Sequence, residues 1–174
     1  MFHPKSDPVK RAEFEKQRLD YQNIEQRSII YIDESGFATD APRNNGYSFK
    51  GTRCYGRKDW HNKGRVNVIG AIMDFQMVNV GLFQGNINAD VFHAWVTQEL
   101  LFSIPEKSVI VMDNATFHKR ADSIKAIESR GHTILFLPPY SPDLNPIEKK
   151  WAQAKSIRRK VRCDPYELFQ KFIK

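Results

Sequence analysis

Two unbroken apolar runs, each four residues long and each followed by aspartate, dominate the hydrophobic pattern. They are Ile29-Ile30-Tyr31-Ile32 before Asp33 and Val109-Ile110-Val111-Met112 before Asp113. Runs without polar alternation predict strands buried on both faces, over residues 28–32 and 108–112. A third short apolar run, 133–137, predicts another strand. Residues 65–73 and 77–84 predict a hairpin turning at Asp74-Phe75-Gln76. Helical spacing appears at 90–102, where Val91, Phe92, Trp95, Val96 and Leu100 share one face. It recurs at 119–130, with Gly131 as the stop, and at 145–161, where Ile147, Trp151, Ala154, Ile157 and Val161 face inward. A short helix, 165–173, closes the chain.

Two segments carry weaker patterns. Residues 8–22 are charged and helical, with Phe14, Leu19 and Tyr21 as apolar anchors, and predict a lead-in helix that packs weakly. Residues 41–63 hold many turn formers and predict irregular structure. The order of the remaining elements predicts an α/β fold, a mixed five-stranded sheet flanked by helices on both faces. At 174 residues without an internal repeat, the chain is read as residues 1–27 leading into one domain, 28–174.

Composition narrows the function classes. No window approaches the ~18 consecutive apolar residues of a membrane span, and the N-terminus lacks the apolar core of a signal peptide. Cys54 and Cys163 lack zinc-site spacing and point to a reducing cytosol. The net charge of +7 is concentrated. Lys149, Lys150, Lys155, Arg158, Arg159, Lys160 and Arg162 fall in one helix without an acid between them, and the rest of the chain sums to zero. A concentrated stripe of this kind attracts a polyanion such as DNA, although a charge run alone is also an ordinary solvated face.

The acids supply the chemistry. A carboxylate at the end of a doubly buried strand stands where a sheet opens to ligands. Asp33 and Asp113 occupy that position twice, although each alone could simply cap the following turn. Glu148 opens the basic helix behind the proline-rich loop LPPYSPDLNP. There Asn145, Pro146 and Glu148 also fit a capping box, so cap and ligand both stay open. Asp143 ranks second to Glu148 as a third acid, and Glu34 points to the opposite side of its strand. His118 reaches substrate or supports a metal ligand, or is an exposed loop residue. Asn114 orients a water or phosphate, or caps the turn. Tyr140 and Ser141 offer hydroxyls for phosphate oxygens. Without a phosphate-binding Gly loop or a nucleophile elbow, ATP hydrolysis and Ser or Cys catalysis are not indicated.

In this order, YIDESGF, VMDNATFHK and LPPYSPDLNPIEKKWAQAK closely resemble the catalytic domain of mariner-like insertion-sequence transposases of the DDE type. The 34 residues between Asp113 and Glu148 match the family's spacing. The resemblance implies an RNase H-like fold with Asp33, Asp113 and Glu148 as catalytic metal ligands. Asn114 and His118 match recurring motif positions. It implies two Mg²⁺ ions, with Mn²⁺ as substitute, and cut-and-paste transposition: cleavage at element ends and transfer of 3′-hydroxyl ends into double-stranded DNA. A nuclease that only hydrolyses, or a non-catalytic DNA-binding remnant, is the alternative. The implied setting is a bacterial cytosol near the nucleoid, with a homodimer on DNA. The family's helix-turn-helix DNA-binding units are absent from this sequence and are expected on an upstream segment.

Overall fold

The computed structural model describes residues 4–39, 50 and 64–173. Apart from Lys50, the turn-rich stretch 41–63, Cys54 included, lies outside them. Strands β1 (Ile29–Ala38), β2 (Arg65–Met73), β3 (Gln76–Phe83), β4 (Val109–Met112) and β5 (Thr133–Phe136) form one sheet in the order β3-β2-β1-β4-β5. The first three are antiparallel neighbours, and β4 and β5 run parallel to β1. Asp74 and Phe75, both at positive φ, make the hairpin turn, as the strong strand twist of a two-residue loop requires.

Helices cover both faces. Ile30, Ile32, Ile110 and Met112 face α2 (Ala89–Trp95), its π-helical continuation Val96–Leu100 and α3 (Leu101–Ser103), and α4 (Ala121–Ser129) closes that layer. On the other face α5 (Ile147–Val161), α6 (Pro165–Glu167) and its π-helical continuation Leu168–Phe172 bury Ile147, Trp151, Ala154 and Leu168 over β1 and β2. Beside them α1 (Pro8–Leu19) seats Phe14 over Val109, Val111 and Leu135. Gly131, at φ 78, ends α4 where the sequence places the stop.

Three expectations change. Strand β1 does not stop at Asp33 but continues to Ala38, because β2 keeps pairing with it after β4 has ended. The helix expected from 119 instead starts as a 3₁₀ turn, Thr116–Lys119, and α4 begins only after the extended Arg120. Helix α1 is also held more firmly than its charge suggests. Leu19 stays exposed, but Arg11 donates to both carboxylate oxygens of Asp143, at 3.0 and 2.6 Å, and so ties the helix to the proline-rich loop.

Candidate active site

The parallel pairing of β1 and β4 sets the site. Tyr31 stands opposite Val111, so two residues further on Asp33 and Asp113 lie at the same level, one past the end of β4 and one still inside β1. Equal apolar runs before each aspartate give equal heights. Asp33 shares a face with Tyr31 and Phe37, the face covered by α5. The proline-rich loop then returns the chain across the carboxyl ends of β4 and β5. A cavity of about 280 Å³ opens there, lined by Asp33, Asp113, Asn114, Ser141, Asn145 and Glu148 among others.

The start of α5 separates the two roles that the sequence leaves open for Glu148. Asn145 is extended, and its side-chain oxygen accepts from Ile147 N at 3.4 Å. The reciprocal half of a capping box is missing: Asn145 N donates to the Pro142 carbonyl at 3.0 Å. Among the described residues the Glu148 carboxylate has no hydrogen-bond partner, and it is exposed to the cavity. It is therefore free to bind. Asp143 is not, because Arg11 holds it on the far side of the loop.

The two aspartates are held differently. Asp113 Oδ1 accepts from Ala115 N at 2.8 Å and from His118 Nδ1 at 2.7 Å. His118 is buried against Phe92 and Phe117, and its Nε2 meets Glu34 Oε1 at 2.8 Å. Asp113 thus caps its own turn and lines the site at once. The bond from His118 outweighs the opposing effect of burial and holds the Asp113 carboxyl below its ordinary range. Burial would lower the His118 pKa, but the bonds to Asp113 and Glu34 outweigh it and raise it to about 9. The imidazole is a cation between two carboxylates. Asp33 goes the other way. Burial first, then the charges of Glu34 and Glu148, push its carboxyl up to about 7, and the Glu34 backbone N–H and the Trp151 indole N–H at 3.1 Å only partly offset them.

The remaining sequence candidates are placed as follows. The Asn114 amide donates to the Leu137 carbonyl and staples the ends of β4 and β5 at the cavity wall. Ser141 is buried, with its hydroxyl donated to the Pro139 carbonyl at 3.2 Å. Tyr140, in the left-handed region, stands exposed at the rim near Lys5. Along α5, Lys149, Lys155, Arg159 and Lys160 are exposed and Lys150 is half-buried, and Arg162, exposed too, is the left-handed cap just past the helix. Arg158 does not belong to that stripe. It is buried on the inner face of the helix, where its guanidinium needs acceptors, and it donates to the Cys163 and Thr39 carbonyls.

Glu34 and Trp151 were not read as site residues from sequence, although a signal existed for each. A carboxylate on the second face of a doubly buried strand needs a partner, and His118 is the cation that reaches it. Trp151 follows Glu148 by three, and a helical side chain covers the turn N-terminal to itself.

Residues 28–167, most of the chain, match the family model described as DDE superfamily endonuclease. The chain belongs to this family. The chain is 25% identical over 151 residues to the transposable element Tc3 transposase of Caenorhabditis elegans, a match covering 82% of this chain and 45% of that protein. Its fold resembles the Mos1 transposase paired-end complex with the left transposon end, at TM-score 0.71 and 15% identity, over 91% of this chain and 51% of that one. The catalytic domain of Mos1 mariner transposase aligns at TM-score 0.60 and 15% identity, over 99% of this chain and 80% of that domain. The RNase H-like expectation is thereby met. The chain spans about half the length of the full-length relatives it matches.

Proposed function

We propose that this chain is the catalytic domain of a mariner-like transposase, cutting DNA at the ends of a mobile element and transferring the freed 3′-hydroxyls to target DNA. The observation that carries the reading is the single cavity lined by Asp33, Asp113 and Glu148 at the carboxyl edge of the sheet.

The donor set fits a hard divalent cation. It offers only carboxylate oxygens, and a cation would offset both the burial and the neighbouring charges of Glu34 and Glu148 that raise Asp33. Among the described residues no three His, Cys, Asp or Glu side chains yet stand close enough to enclose an ion. Closing on one falls to the unbonded Glu148. Mg²⁺, two ions with Mn²⁺ as substitute, would be held by Asp33, Asp113 and Glu148 and would supply Lewis-acid chemistry for phosphodiester cleavage. Solved Mos1 paired-end complexes with Mg and with Mn support this choice.

The chain's own residues supply positioning and charge. His118, braced by Glu34, fixes one oxygen of Asp113 and leaves the other toward the cavity. Asn114 keeps the cavity wall joined to β5, and the exposed cations of α5 receive the DNA backbone. A homodimer on DNA, an upstream helix-turn-helix segment and a bacterial, nucleoid-associated setting complete the proposal. Among the described residues no helix is long and apolar enough to cross a membrane.

The test is Mg²⁺- or Mn²⁺-dependent nicking of duplex DNA. Asp113→Asn and Glu148→Gln should each reduce it to background; full activity in both would overturn the assignment. Charge reversal at Lys155, Arg159 and Lys160 should weaken DNA binding and flatten its salt dependence.

A further inference from the structure

We propose that Trp151 is a positioning residue for Asp33: its indole N–H holds one carboxylate oxygen so that the other faces the cavity shared with Asp113 and Glu148. The inference rests on the reading of Asp33 as a metal ligand.

The contact joins two elements that the site must keep in register. Trp151 Nε1 donates to Asp33 Oδ2 at 3.1 Å across 118 residues of sequence. Trp151 is also one turn beyond Glu148 on α5, so one rigid helix delivers the third acid and orients the first. The indole is 2% exposed and braced edge-on by Phe37 and Phe169, which fixes the direction of its N–H.

Strand β2 makes room for this arrangement. The residue paired with Asp33 across the antiparallel ladder is Gly70. A Cβ at Gly70 would fall 2.4 Å from Trp151 Cη2 and 3.0 Å from Cζ2. The indole therefore lies on bare backbone directly beside the aspartate, and any side chain at position 70 would lift it away.

A buried indole needs an acceptor wherever it sits, and the molecule contains a control for that ordinary role. Trp95, on the opposite face of the sheet, donates to the neutral amide oxygen of Asn79 at 2.9 Å. Packing alone is satisfied there by an amide at no active site. Trp151 instead spends its N–H on a carboxylate that lines the cavity. Asp113 is treated in parallel: its Oδ1 is taken by His118 and Ala115 N, with its other oxygen left over. Each aspartate thus has one oxygen held by a buried side-chain donor, Trp151 for Asp33 and His118 for Asp113, a pattern that favours single-oxygen ligation at both positions. Groups that orient ligands in this way typically set metal affinity by about ten- to a hundredfold.

The experiment replaces Trp151 by 3-benzothienylalanine, which keeps the bicyclic shape but carries sulfur in place of N–H. Mn²⁺ binding to the full chain is then measured by calorimetry, with near-UV circular dichroism as the check on packing. Affinity about ten- to a hundredfold weaker at native packing is expected, and Trp151→Phe and Gly70→Ala should shift it in the same direction. Wild-type affinity in the benzothienylalanine variant, alongside loss of binding in Asp33→Asn, would overturn the role of Trp151 and leave the metal site standing. Unchanged binding in Asp33→Asn would instead overturn the ligand assignment, and this inference with it.

Discussion

Asp33 and Asp113 stand level on neighbouring parallel strands, each after four apolar residues, yet the protein treats them oppositely. Asp113 projects where β4 has ended and accepts from a backbone amide and from a buried imidazolium, so its charge is stabilised. Asp33 remains inside β1, closed in by α5, with Glu34 and Glu148 nearby and only neutral donors, the Glu34 backbone N–H and the Trp151 indole. Equal sequence context gives equal height on the sheet; the opposite charge balance comes from what the two layers of helix bring to each residue. Asp113 is a carboxylate ready without help, whereas Asp33 needs another positive charge to be fully ionised at neutral pH.

The largest break in this comparison should come from His118. His118→Ala would leave Glu34 and Asp113 facing each other without their cation, and should cost about 3 kcal/mol in denaturant unfolding. That figure lies at the low end for a buried pair because Asp113 is half open to solvent. The same interaction has a pH signature. The folded pKa of His118, about 9, is raised above the ordinary 6.5. Its stabilisation is therefore complete below about pH 6.5 and is lost as pH rises through about 9. Unfolding in chelator across that range should show the loss in wild type and not in His118→Gln.

Asp33 should show the reverse effect of mutation. Its folded value near 7 lies above the ordinary 3.8, so without metal its stability contribution falls as pH rises from about 4 to 7. Asp33→Asn should then stabilise the metal-free protein at pH 7 by about 2 kcal/mol, since an amide oxygen can still accept from Trp151 as Asn79 does from Trp95. Added Mg²⁺ should narrow the gap by stabilising wild type alone. Equal melting of the two proteins in chelator would count against the strain at Asp33. The smallest effect is expected at the loop. Arg11→Ala should cost about 0.5–1 kcal/mol, as exposed ion pairs do, and should leave the titration of both aspartates unchanged.

Much of this arrangement was legible in the sequence. The two apolar runs predicted two buried strands with their aspartates at equal height, and the family resemblance, through its spacing, set Glu148 with them. Illegible were the long-range pairings that depend on which face a residue takes. Glu34 was correctly turned to the far side of β1, but its partner is 84 residues away. Trp151 read as one more apolar position of α5, because periodicity records burial and not where an N–H points. The true length of β1 was hidden by its polar second half, since Asp33, Glu34 and Ser35 look like a strand's end unless β2 is known to pair with them. For Asp143 and Glu148 the loop offered two acids and no means of choosing; Arg11, from the other end of the chain, makes the choice.

The inward turn of Arg158 bears on how mutants of α5 are to be read. Counted by composition, it is one of seven cations between Lys149 and Arg162. By its bonds it is a latch between the end of that helix, Cys163 and the end of β1. Replacing it would depress DNA retention through lost folded protein, with a lowered melting temperature as its mark. Replacing Arg159 would depress retention at unchanged melting. Neighbours in sequence would score alike in a binding screen for unrelated causes, and only a thermal scan run beside it would tell them apart.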